Sequence, residues 1–135
     1  MKVIVIDGQG GRIGKALVEG IIASGADVEL VAIGTNSLAT AQMIKAGASL
    51  AATGENPVIV GARDADIIVG PVGIVAANSL LGEVTPAMAA AVSESGAVKL
   101  LIPLNKCKLT VVGTARLAVA DYINEAVEYI KNFNA

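Results

Sequence analysis

The stretch Val3-Ile4-Val5-Ile6-Asp7-Gly8-Gln9-Gly10-Gly11-Arg12-Ile13-Gly14, followed by a helix-patterned segment from Lys15 to Ser24, decides the fold of this chain. The apolar run is continuous rather than alternating, which predicts a strand covered by helices on both faces. Ile13, Leu17 and Ile21 then recur at helical spacing, with Lys15 and Glu19 on the opposite side. Strand, glycine-rich turn and helix in that order form a phosphate-binding unit, because the turn brings the backbone close to a ligand and the helix offers unpaired N–H groups.

Working outward, the rest of the chain alternates in the same way. Val28 to Ile33 predicts a second strand, and Asn36 or Ser37 caps a second helix that ends at Gly47. Val58-Ile59-Val60 has strand propensity, but too few residues separate it from the strand at Asp66 to Gly70 for a parallel crossover, which takes about a dozen. A short strand around Ser49 to Ala52 and a helix from a Thr53 cap to about Arg63 resolve that conflict, with Pro57 in its first turn. A helical segment is expected over Ile74 to Leu81, and Thr85-Pro86 starts another. Lys99 to Ile102 makes the fifth strand. Leu109 to Val112 also reads as a strand, and the short segment before it allows only antiparallel pairing at an edge. A last helix runs from about Val119 to Phe133.

The expectation is one three-layer α/β/α Rossmann-like domain over residues 1–135, with a mostly parallel sheet ordered 3-2-1-4-5 and an antiparallel edge strand. Hydrophobic residues make up 54% of the 135 positions and aromatics 2%, so the core is built from Val, Ile, Leu and Ala. The mean hydropathy of +0.68 predicts that some apolar surface is covered in a homo-oligomer. A net charge of -2 gives no electrostatic footprint for nucleic acid. The longest uncharged stretch, Ile67 to Gly82, is too broken by Gly and Pro to span a bilayer, and Asp7 stops the N-terminal apolar run too early for a secretory signal. A cytoplasmic protein is expected. With one cysteine and no histidine, neither a disulfide framework nor a common zinc site is expected.

Ligands of such sheets sit beyond the carboxyl ends of the strands at the switch point. The candidate binding residues are therefore Asp7, Gly8, Gln9, Gly10, Gly11, Arg12, Ile13 and Gly14, then Gly34, Thr35 and Asn36, then Gly70, Pro71, Val72 and Gly73, and finally Asn105. A strict G-x-G-x-x-G fails because its sixth position is Ile13, and a Walker loop fails because Ala16 stands where a hydroxyl is needed. Read as G-x-x-G-x-x-G, the segment fits Gly8, Gly11 and Gly14. Gly10-Gly11-Arg12-Ile13-Gly14 resembles the nucleotide loop of dihydrodipicolinate reductases, and that resemblance implies a nicotinamide cofactor, NAD or NADP. The acid that usually meets the ribose at the end of the second strand is absent, since Gly34 to Ser37 are neutral. A mononucleotide or another small phosphorylated ligand stays open, as does the reading in which the glycines serve packing alone.

Two carboxylates are candidates for chemistry. Asp7 either accepts loop and helix N–H groups and fixes the turn, or acts as a magnesium ligand or general base. Glu83 lies between two helices, where a capping role competes with a catalytic one. Cys107 is flanked by Lys106 and Lys108 but lacks a histidine to activate it. Three functions are thus in play: a ligand-binding sensor or regulatory subunit, a small reductase or phosphate-handling enzyme completed at a subunit interface, and a structural or partner-binding domain.

Six segments taken together carry a further resemblance: Val5-Ile6-Asp7-Gly8-Gln9-Gly10-Gly11, Gly34-Thr35-Asn36, Ala52-Thr53-Gly54-Glu55-Asn56, Gly70-Pro71-Val72-Gly73-Ile74, Asn78-Ser79-Leu80-Leu81-Gly82-Glu83 and Ile102-Pro103-Leu104-Asn105. They are similar to a family of short bacterial proteins, mostly from anaerobes, classed as a domain of unknown function. The resemblance implies a stand-alone Rossmann-like domain and brings no activity with it.

Overall fold

The computed structural model describes residues 1–104, 108–114 and 117–134. Its strands are β1 (Lys2–Asp7), β2 (Glu29–Gly34), β3 (Leu50–Thr53), β4 (Ile67–Pro71) and β5 (Val98–Ile102). Its helices are α1 (Arg12–Ala23), α2 (Ser37–Lys45), α3 (Glu55–Ala62), α4 (Pro86–Glu94) and α5 (Val119–Lys131), with a 3₁₀ turn at Val72–Val75. The sheet runs β3-β2-β1-β4-β5, and every pairing is parallel.

Pleating splits the β1 side chains between two cores. Val3 and Val5 join Leu17, Ile21, Met43 and Ile123 beneath α1, α2 and α5, whereas Ile4 and Ile6 join Val58, Ile68, Met88 and Val92 beneath α3 and α4. Ile4 is fully buried, and removing an isoleucine side chain from water stabilises the fold by about 1.5–3 kcal/mol. This is the physical content of the continuous apolar run: both faces of the central strand are inside. The chain moves one way from β1 to β3 and the other way from β4 to β5, so the switch point lies between β1 and β4.

The crossover argument for Val58 to Val60 holds. These residues lie in α3, although its N-cap is Gly54 rather than Thr53, which belongs to β3. Two expectations fail. Residues 109–112 form no strand among the described residues, so the sheet has no antiparallel edge there. Strand propensity at Leu109 to Val112 found no partner, and Val112 is almost wholly exposed. The helix expected over Ile74 to Leu81 stops after the 3₁₀ turn, because Asn78, Leu80 and Leu81 adopt positive φ of 64°, 54° and 55°. A right-handed helix cannot continue through such residues.

Candidate functional site

Asp7 closes β1, and its carboxylate turns under the glycine loop. Oδ1 accepts the Gly8 N–H at 2.8 Å and Oδ2 accepts the Gly14 N–H at 2.6 Å, with the Ile13 N–H as a third partner. The side chain is buried, at 4% exposure. Burial pushes the Asp7 carboxyl above its ordinary value, the three backbone donors pull the other way, and the charge of Glu83 adds to the rise. The Asp7 side chain therefore sits against the N-terminal end of α1 and shapes the loop. With both oxygens engaged by the backbone, the arrangement is that of a turn-fixing residue.

Glu83 performs a second tie. Its Oε1 accepts the Gln9 N–H at 3.0 Å, the Thr35 hydroxyl at 2.8 Å and the Asn36 amide at 2.6 Å. Asn36 also donates to the Gln9 carbonyl at 3.0 Å, and its own Oδ1 caps α2 by accepting the Ala39 N–H at 2.8 Å. One carboxylate thus joins the glycine loop, the end of β2 and the segment between β4 and α4. Burial of Glu83 opposes its charge, but the donors from Asn36, Gln9 and Thr35 outweigh that and hold its carboxyl below the ordinary range. The positive-φ residues before it turn the chain back far enough to deliver this carboxylate. An acidic side chain does stand at the end of the second strand, carried there by a residue 48 positions away from Thr35.

The glycines divide sharply by environment. A Cβ at Gly8 would collide with the Thr35 hydroxyl and stand 2.9 Å from Leu80 Cδ1 and 3.0 Å from Glu83 Oε1. A Cβ at Gly14 would stand 2.6 Å from Met43 Sδ and 2.8 Å from Asp7 Cβ, so this glycine sets how closely α1 approaches its neighbours. Gly34 is tight against Thr40, and Gly70 against the Ile6 carbonyl. Gly10 is different: nothing lies within 4 Å of an added Cβ. Packing does not require glycine there.

At the switch point a cleft of about 160 Å³ is lined by Asp7 to Ile13, by Pro71, Val72 and Gly73, and by Leu80 and Leu104. The structure thus gathers the glycine loop and the segment after β4, as the sequence predicts. Gly34, Thr35 and Asn36 lie outside the lining, the last two held by Glu83, and Gly14 and Gly70 are consumed by packing. Asn105, Lys106 and Cys107 lie outside the described residues. Leu80 and Leu104 lie in two of the segments that carry the family resemblance but are not among the candidate binding residues, being apolar side chains brought to the cleft by tertiary folding. Among the described residues no group of three His, Cys, Asp or Glu is placed to hold a metal ion. No described helix is long and apolar enough to cross a membrane.

Residues 2–135 match the family described as "Domain of unknown function (DUF3842)". The chain belongs to that family. Neither the curated proteins nor the solved structures contain a match. The family description assigns no activity.

Three groups of the cleft-lining residues have no partner among the described residues. Among the described residues, Arg12 forms no ion pair or side-chain hydrogen bond, and the Gly10 and Arg12 backbone N–H groups have no acceptor. Ile13, Pro71, Val72, Leu80 and Leu104 make the remaining wall apolar. An anion at one end and an apolar or ring-shaped body at the other is the ligand form that such a wall complements.

Proposed function

We propose that this protein binds a small phosphorylated molecule, a nucleotide or a portion of one, in the cleft between the glycine loop and residues 71–73, and serves as a sensor or regulatory subunit. The observation that carries the reading is that Gly10 and Arg12 line the cleft with backbone N–H groups that have no acceptor, and that Arg12 forms no ion pair among the described residues. Gly10 supports it from the other side, since a residue free of packing demands leaves its backbone open to a phosphate. The cleft volume of about 160 Å³ is below the range of roughly 300–1,000 Å³ that encloses a drug-sized ligand, which fits a nucleotide held by one portion with the rest at the surface. The commitment of both Asp7 oxygens favours binding over proton transfer at that residue.

Thermal unfolding with and without ribonucleotides at saturating concentration tests the reading. Selective binding to the folded state adds about 2.7 kcal/mol at a hundredfold excess over Kd, a plain upward shift in Tm. Arg12→Ala keeps the unliganded Tm and loses that shift. The reading fails if none of AMP, GMP, CMP, UMP, NAD or NADP raises the Tm. Self-association in the cytoplasm belongs to the same proposal, supported by exposed Ile22, Ile44 and Leu50 on neighbouring α1, α2 and β3. Sedimentation at micromolar concentration tests it, a monomer throughout being the contrary result.

A further inference from the structure

We infer that Glu83 is the residue that selects for free ribose hydroxyls, so that the ligand is a ribonucleoside 5′-phosphate and neither a deoxynucleotide nor a 2′-phosphorylated one. The inference rests on the binding reading above and names the ligand class of that site. Three observations carry it. First, the Glu83 carboxylate stands at the carboxyl end of β2, bonded to the Thr35 hydroxyl at 2.8 Å, and its Oε1 lies 3.0 Å from where a Gly8 Cβ would be. In a Rossmann-like sheet that is the place where an acid meets ribose hydroxyls, and there it is ordinarily carried by the second strand itself. Second, only Oε1 is saturated. Oε2 has no hydrogen bond among the described residues, so one acceptor oxygen is left for a ligand hydroxyl.

Third, the spacing fits a sugar phosphate. The Gln9 N–H that binds Glu83 at 3.0 Å and the unpaired Gly10 N–H are consecutive, their Cα atoms about 3.8 Å apart across one peptide. Glu83 stands behind the cleft wall, against Gly8 and Gln9, which do line it, so a ribose attached to a phosphate at Gly10 and lying toward the end of β2 meets this carboxylate. A carboxylate accepts from hydroxyls and repels a second phosphate, so the same group rewards a diol and rejects a 2′-phosphate.

The test measures affinity of the intact protein by calorimetry for the four ribonucleoside 5′-monophosphates, their 2′,3′-dideoxy counterparts and adenosine 2′,5′-bisphosphate. The expected result is at least about a tenfold preference for the ribose form of whichever base binds, the size of one charge-assisted hydrogen bond. The bisphosphate should bind more weakly still. In Glu83→Gln the ratio of ribose to dideoxy affinity should fall below about threefold. Equal affinity of the wild-type protein for the ribose and dideoxy forms overturns the inference and leaves the binding reading standing. Absence of binding by every nucleotide overturns both. The wild-type comparison involves no substitution, so a Glu83 variant that fails to fold leaves the inference still open to refutation.

Discussion

Replacing Gly8 with alanine, and separately Gly10 with alanine, asks which glycines of the loop belong to the fold. At Gly8 the new methyl overlaps the Thr35 hydroxyl and crowds Leu80 and Glu83, at 2.9 and 3.0 Å. Thr35 has to rotate away, which removes its bond to Glu83, worth about 1.5–3 kcal/mol because the acceptor is charged. Crowding in a packed region adds roughly 1–3 kcal/mol. Against these stands a gain of about 0.4–1 kcal/mol, because alanine reduces the freedom of the unfolded chain. The net loss is about 3 kcal/mol, or roughly 10 °C in Tm for a domain of this size. At Gly10 the methyl meets nothing within 4 Å, so only a change of about 0.5 kcal/mol or less is expected. The chain has no tryptophan, so far-ultraviolet circular dichroism during thermal and urea unfolding is the suitable assay. Equal losses in the two variants, or a larger loss at Gly10, would refute the division between packing and ligand-facing glycines.

Three further outcomes follow from the same geometry. Asp7→Asn keeps one acceptor but sets an amide N–H against backbone donors, and should cost about 2–4 kcal/mol in urea unfolding. Asn36→Ala removes the cap of α2 and two donated bonds, and should cost about 2 kcal/mol and speed amide exchange at Ala39. The folded Glu83 carboxyl lies below its ordinary value of 4.5, so its contribution is fully present above pH 4.5 and is lost as pH falls through the lower folded value. The Tm difference between wild type and Glu83→Gln should accordingly be constant near neutrality and shrink on the acid side, in melts taken across that range.

The parallel sheet and its order were legible because they depend on patterns that act locally and on chain length. Val3 to Ile6 shows its double burial in its composition, and the few residues between Val60 and Ile67 forbid a second parallel strand whatever their propensity. The role of Asp7 was within reach for a similar reason, since its partners Gly8 and Gly14 are near neighbours in sequence. Glu83 was visible as a candidate but not in its role. Its partners Gln9, Thr35 and Asn36 are more than 40 positions away, and four residues of positive φ, Asn78, Leu80, Leu81 and Gly82, precede it, which no helical period foretells. Leu109 to Val112 shows the reverse failure: strong local propensity for a strand with no ladder to join.

Asp7 also bears on how a ligand for this protein is to be sought. Because its side chain holds the glycine loop from within, the binding proposed above would leave little backbone ordering to be done. Association should be fast and nearly silent in circular dichroism and in any probe that reports a change of shape. Screens that read heat, displacement or melting are therefore better suited to testing that proposal than screens for movement.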